Sequence, residues 1–222
     1  MEVIQNNNEF EYVVAIGAST GGKDTVCKLL KNIPKNFSPI VVAQHMPPEY
    51  ISSYVRHLKK FTGHDVIESK DGDELCRGRI IIATADHQMR LMRSGDRLYL
   101  SCVEEGPYKG DCPSIDILFE SVARVMGDKG IGVLLTGNGV DGVKGLLEMK
   151  RSNGFTICQD QSSSVVYNLP RAAFEEGAAA KQLNLKNIPD EIINRICKNE
   201  YNLHKKYIFY KGVPKGRYAE YI

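Results

Sequence analysis

Short β-branched apolar runs alternate along the chain with stretches whose apolar residues recur at helical spacing. This is the pattern of strand, helix, strand units in a parallel sheet. The runs are Tyr12 to Ile16, Pro39 to Ala43, Ile80 to Ala83, Ile131 to Leu135 and Phe155 to Cys158. Between the first two, Thr25 to Leu30 puts Val26, Leu29 and Leu30 on one helical face, and Ile33-Pro34 closes it. Ile51, Val55 and Leu58 follow the second run at the same spacing, and Ile115 to Met126 and Val143 to Met149 predict two further helices. One segment breaks the alternation. His87 to Leu91 and Arg97 to Leu100 alternate apolar and polar residues around Ser94-Gly95-Asp96, which predicts an antiparallel hairpin whose glycine supplies the positive φ of a tight turn. The predicted class is α/β: a doubly wound, mainly parallel sheet flanked by helices in three Rossmann-like layers, with that hairpin beside it.

Length and composition narrow this further. A chain of 222 residues suits one domain with an appendage. We read a polar leader over 1–11, a domain over 12–186 and a basic, tyrosine-rich extension over 187–222. The balance of 29 Lys plus Arg against 27 Asp plus Glu is too even for a general nucleic-acid binder. From Lys198 to Ile222 the chain holds six Lys or Arg and two Glu, so that the near-neutral total divides into about +4 there and −2 elsewhere. No apolar run reaches the ~18 residues of a membrane span, so membrane insertion is not expected. The leader lacks the apolar stretch of a signal peptide, and the expected compartment is the cytoplasm. The six cysteines and five histidines show no Cys-x-x-Cys and no ligand cluster in sequence, so neither disulfide nor zinc is expected.

In open α/β sheets ligands bind beyond the carboxyl ends of the strands. The first predicted strand runs into Gly17-Ala18-Ser19-Thr20-Gly21-Gly22, the second into Gln44-His45-Met46-Pro47-Pro48, and the fourth into Thr136-Gly137-Asn138-Gly139-Val140-Asp141-Gly142. A serine, a histidine and an aspartate at one sheet edge suit nucleophilic acyl transfer. The hydroxyl attacks when an imidazole takes its proton, and a carboxylate fixes the tautomer of that imidazole. Gly17 to Gly21 also matches the Gly-x-Ser-x-Gly elbow. The amide of Thr20 at the following helix start suits an oxyanion donor. Blander roles stay open at this point: Ser19 and Asp141 as helix caps, and His45 as a satisfied turn residue.

Two other motifs overlap these loops. Gly17 to Lys23 reproduces Gly-x-x-x-x-Gly-Lys, but Asp24 stands where a phosphate loop needs Ser or Thr. Gly137 to Gly142 satisfies Gly-x-Gly-x-x-Gly, with Asp160 placed for a ribose, so a dinucleotide-binding protein is an alternative. Against it, Asp141 would compete with a pyrophosphate for one positive helix end. His87 is a further candidate for the cleft. His57, His64 and His204 read as surface residues, and Met46 and Met89 as packing residues.

At these residues the sequence resembles the catalytic domain of the protein-glutamate methylesterases of bacterial chemotaxis, the CheB family. The resemblance rests on Ile16 to Gly22, Gln44 to Pro48, Pro113 to Phe119, Leu135 to Gly142, and Gln159-Asp160 through Val166 to Ala173, in family order from about Tyr12 to Leu185. It implies Ser19 as nucleophile, His45 as general base and then acid, and Asp141 as its orienting carboxylate, with Thr20 and Asn138 lining the oxyanion hole. It implies hydrolysis of γ-glutamyl methyl esters on the cytoplasmic helices of methyl-accepting chemoreceptors, with glutamine deamidation as a second activity and no metal or organic cofactor. The chain departs from the family pattern at Asn138, usually methionine, at Asp111-Cys112, usually His-Arg, and at Asn168, usually glycine. Asn168 is expected to be tolerated because Asn adopts the left-handed region. The family's amino-terminal receiver is not expected here, which leaves room for a receiver protein acting in trans. A catalytically inactive receptor-binding adaptor is the other rival, kept open by Asp111-Cys112.

Overall fold

The computed structural model describes residues 10–108 and 111–197. The chain divides into two units, Met1–Pro189 and Asp190–Ile222. In the second, residues 190–197 are helical. The leader up to residue 9 and the basic tail from residue 198, with His204, lie outside the described residues.

In the first unit, seven parallel strands form one sheet: β1 (Val13–Ala18), β2 (Ile40–Gln44), β3 (Asp65–Glu68), β4 (Arg79–Ile82), β7 (Gly130–Leu134), β8 (Phe155–Gln159) and β9 (Lys181–Leu183). Their order across the sheet is β3-β4-β2-β1-β7-β8-β9. A separate antiparallel pair, β5 (Gln88–Ser94) and β6 (Arg97–Val103), is the predicted hairpin, with Gly95 at φ 58°. The three central strands are buried along their whole length, as expected of a parallel sheet covered on both faces. Val13, Ala15, Val41, Ala43 and Ile81 join Leu118, Phe119, Val122, Leu146 and the hairpin's Met89, Leu91 and Leu100 in one core. Helices α3 (Ile115–Met126), α4 (Val143–Arg151) and α5 (Asn168–Glu175) pack on one another in sequence, and α1 (Gly22–Lys31) packs on α2 (Pro48–Thr62). The predicted class is therefore the observed one. Among the described residues no helix is long and apolar enough to cross a membrane.

Three elements escaped the apolar pattern. β3 (Asp-Val-Ile-Glu) and β9 (Lys-Gln-Leu) are edge strands, and edges carry charge rather than an apolar run. α5 contains Pro170 in its first turn, where a missing amide hydrogen breaks no intrahelical bond.

His64 corrects the surface reading: it is only 4% exposed. It directly precedes β3 and sets its Nε2 3.1 Å from the Leu30 carbonyl, which also accepts from Ile33 N, and 3.2 Å from that of Ile33, just past the end of α1. Burial, reinforced by Lys35, holds its pKa below the ordinary imidazole value against the two carbonyl contacts that favour the charged form. The unfolded imidazole takes up a proton first as pH falls below ~6.5, so the stability His64 contributes is full above that pH and declines below it. His64→Gln, which keeps an N–H donor for the carbonyls, should flatten this decline in urea midpoints measured between about pH 5.5 and 8. Parallel curves for the two proteins would remove His64 as its source.

Candidate active site

Strands β2, β1 and β7 are neighbours at the middle of the sheet, so the residues that follow them emerge together. Backbone pairing continues past the strand ends: Leu135 N donates to Gly17 O (2.9 Å), Ser19 N to Thr136 O (3.1 Å) and His45 N to Ala18 O (3.0 Å). Gln44, buried at the end of β2, donates from Nε2 to the carbonyls of both Ser19 and His45, each at 2.9 Å. It thus ties the serine loop to the histidine loop. Gln44→Ala should lower stability by about 2 kcal/mol, since two hydrogen bonds go and the His45 carbonyl loses its partner, while that of Ser19 keeps Gly22 N. A denaturant midpoint checks this, and an unchanged value would show that water replaces the amide without cost. The 136–142 loop passes so close that a Cβ on Gly137 would stand 2.8 Å from Ser19 Cβ and 2.8 Å from Leu169 Cδ2. Only glycine fits there.

Ser19 does not cap α1. The cap position is Gly21, at φ 78° with no side-chain cap, and Ser19 contributes only its carbonyl, which accepts from Gly22 N at 2.8 Å. Its hydroxyl is half-buried and, among the described residues, has no hydrogen bond, to His45 or otherwise. His45 and Asp141 do meet: Nε2 lies 2.9 Å from Oδ2. The other ring nitrogen, Nδ1, faces Asp111 Oδ1 at 3.6 Å.

Asp141 does two things at once. Its carboxylate reinforces the N-terminus of α3, a helix to which it does not belong and whose N-cap residue is Ser114. Oδ1 accepts from Ser114 Oγ (2.7 Å) and Asp116 N (3.0 Å), and Oδ2 from Ile115 N (2.6 Å) as well as from His45. The cap and catalytic readings of this residue are therefore not alternatives. Burial pushes its pKa up, but the bonds from His45, the Asp116 and Ile115 amides and the Ser114 hydroxyl outweigh that and hold it below the ordinary carboxylate value. Asp116 returns the favour: its Oδ1 accepts from Gly142 N (2.9 Å) and Gly145 N (2.8 Å) at the start of α4. Those are the amides that a pyrophosphate would need, which counts against the dinucleotide alternative. Asp160 is likewise occupied, accepting from Ser163 N, Ser163 Oγ and Ser162 Oγ within its own loop.

Thr20 and Asn138 are both exposed, on the loops after β1 and β7. Asn138 Oδ1 accepts from Asn168 Nδ2 at 2.9 Å, so two of the positions that depart from the family pattern are partners. Asn168 is not in the left-handed region. It opens α5, and Asn153 is the non-glycine residue with positive φ among those described. The hairpin borders the site through Gln88, fully buried, whose Oε1 accepts from Ser114 N (2.8 Å) and whose Nε2 donates to the carbonyls of Gly106 (2.9 Å) and Asp111 (3.2 Å). His87 pairs instead with Asp86 at 2.7 Å. His45, Asp111 and Asp141, far apart in sequence, bring one possible ligand atom each within 4.8 Å of the others. Burial raises the pKa of Asp111; His45 opposes this, while Asp141 and Asp116 add to it.

A profile of the CheB methylesterase family matches residues 14–192. A Rhodospirillum rubrum protein named protein-glutamate methylesterase/protein-glutamine glutaminase 2 is 42% identical over 184 residues, which cover 82% of this chain and 50% of that protein. An Anaeromyxobacter dehalogenans protein named protein-glutamate methylesterase/protein-glutamine glutaminase 5 is 41% identical over 191 residues, 85% of this chain and 52% of that one. The chain spans about half the length of the curated relatives it matches. In three dimensions it is similar to the crystal structure of the Thermotoga maritima CheB methylesterase catalytic domain, with a TM-score of 0.81 and 33% identity over 84% of this chain and 99% of that one. The agreement of profile, relatives and fold shows that the chain belongs to the CheB methylesterase family.

Proposed function

We propose that this chain hydrolyses γ-methyl esters of glutamates on the cytoplasmic helices of methyl-accepting chemoreceptors, releasing methanol, and deamidates receptor glutamines as a second activity. The observation that carries the reading is the hydrogen bond between His45 Nε2 and Asp141 Oδ2 at the strand ends where Ser19 emerges. Asp141 is held ionised and its Oδ2 already accepts from Ile115, so the proton in that bond belongs to Nε2. The lone pair is then on Nδ1, and Nδ1 is the base. Ser19 attacks the ester carbonyl as Nδ1 takes its proton, and Asp141 stabilises the imidazolium that results. The backbone N–H groups of Thr20 and Asn138 donate to the oxyanion. The imidazolium next protonates methoxide as it leaves, giving methanol and an acyl-enzyme. Water attacks in the second half with the same base, releasing the glutamate carboxylate and free Ser19. With glutamine the leaving group is ammonia.

The absence of a Ser19–His45 hydrogen bond is compatible with this order of events, because such contacts in free enzymes often tighten only when substrate is present. Incubation of the chain with methyl-labelled chemoreceptor tests the reading. Labelled methanol should appear with the wild type and not with Ser19→Ala. Receptor binding without methanol would support the inactive adaptor instead.

A further inference from the structure

We propose that His45 Nδ1 and Asp111 Oδ1 form an inhibitory binding site for Zn²⁺. The starting point is an unbalanced contact. With the Nε2 proton given to Asp141, neutral His45 turns a bare lone pair toward the Asp111 carboxylate at 3.6 Å. Two acceptors face each other with no hydrogen between them, and a cation placed between them would make that arrangement favourable.

The spacing suits zinc. Zn–N and Zn–O bonds are about 2.0–2.2 Å, so ligand atoms in tetrahedral positions stand about 3.4 Å apart. At the 3.6 Å seen between Nδ1 and Oδ1, the angle at the metal would open to about 120°. The separation of the two ligand atoms need not change. The support behind the imidazole is also that of a metal ligand: a ligating histidine typically donates its other ring N–H to a carboxylate, which fixes its orientation and raises its basicity. Asp141, pinned by Ser114, Ile115 and Asp116, is that carboxylate. The Asp111 side chain is 39% exposed, so solvent reaches the remaining coordination positions. An imidazole and a carboxylate select zinc or its transition-metal neighbours over magnesium, which prefers an all-oxygen octahedron.

Metal on Nδ1 occupies the lone pair that would accept the Ser19 proton, so bound zinc blocks the esterase. That consequence rests on the function proposed above, whereas the binding does not. Zinc chloride is titrated calorimetrically into the full chain and into Asp111→Asn, with magnesium chloride as the comparison, and methanol release is measured in parallel. Among the described residues the Asp111 side chain meets only His45, and its hydrogen bonds to Tyr108 and Gln88 use backbone atoms, so Asp111→Asn should fold. The expected result is one zinc per chain, affinity about tenfold or more lower in Asp111→Asn, no heat with magnesium, and loss of methanol release in step with zinc occupancy. The Cys27–His57 pair, Sγ to Nε2 at 3.9 Å, and the His87–Asp86 pair, Nδ1 to Oδ1 at 2.7 Å, are competing zinc ligand pairs among the described residues. Binding that is unchanged in Asp111→Asn overturns the proposal, whichever of Cys27→Ser or His87→Ala removes it, as does methanol release that persists with zinc bound. Zinc binding lost with Asp111→Asn in a chain that never releases methanol supports the site and overturns the proposed function.

Discussion

Ser19→Ala should lower methanol release from methylated receptor by about 10⁴-fold or more, while its unfolding midpoint stays within about 0.5 kcal/mol of the wild type. The two halves of this expectation come from different atoms of one residue. What Ser19 gives the fold is backbone: its amide donates to Thr136, and its carbonyl accepts from Gly22 and from Gln44. An alanine keeps all of that. What it gives the proposed reaction is the hydroxyl, which among the described residues has no hydrogen bond to lose. A large loss of rate with no loss of stability is therefore the signature of a nucleophile, and a cap would show the reverse. Retained methanol release would move the nucleophile elsewhere. A lower midpoint in Ser19→Ala would mean that its Oγ supports the loop after all.

How far this site could be read beforehand varies with the kind of residue. The central strands are continuous apolar runs because both faces of a parallel sheet are covered, so β1, β2, β4, β7 and β8 announced themselves, and with them the loops that carry Ser19, His45 and Asp141. β3 and β9 did not, because edge position allows charge. Gln44 and Gln88 were equally invisible: a buried glutamine acts by tying backbone groups that are remote in sequence, and nothing in its neighbours signals which groups those are. Gln88 closes a contact across 26 residues to Ser114, and Gln44 one across 25 residues to Ser19. The reciprocal caps of Asp141 on α3 and Asp116 on α4 were hidden for the same reason, although both residues stood in quoted motifs. His64 was misread because a lone polar residue next to a short edge strand gives no sign that the carbonyls at the end of a remote helix will meet it. The 3.6 Å approach of Asp111 to His45 is the most consequential of these hidden contacts, since sequence spacing argued against any metal ligand cluster.

Asp141→Asn should reduce methanol release by about 10⁴-fold and also cost about 2 kcal/mol of stability, unlike Ser19→Ala. The carboxylate accepts four hydrogen bonds, two on each oxygen. An amide has one acceptor. With its oxygen kept toward Ser114 and Asp116, its NH₂ meets the N–H of Ile115 and the N–H of His45, donor against donor. His45 can relieve its half by moving the ring proton to Nδ1, so that Nε2 accepts. That tautomer presents an N–H where Ser19 needs a lone pair, and the base is lost. Turning the amide round restores His45 but leaves the Asp116 N–H at the start of α3 without an acceptor. Either way the cap is incomplete. The pH dependence adds an independent check. The folded pKa of Asp141 is depressed, so on acidification the unfolded chain takes up that proton first. Its contribution is full above the ordinary carboxylate pKa of ~3.9 and is lost as pH falls through the lower folded value. The His64 window opens at ~6.5, so the two declines are separate in pH. Urea midpoints followed down to about pH 3 should show the lower decline in the wild type and a shallower one in Asp141→Asn. Curves that stay parallel there would mean that the Asp141 bonds do not hold the start of α3, and the double role argued for this carboxylate would fall with them.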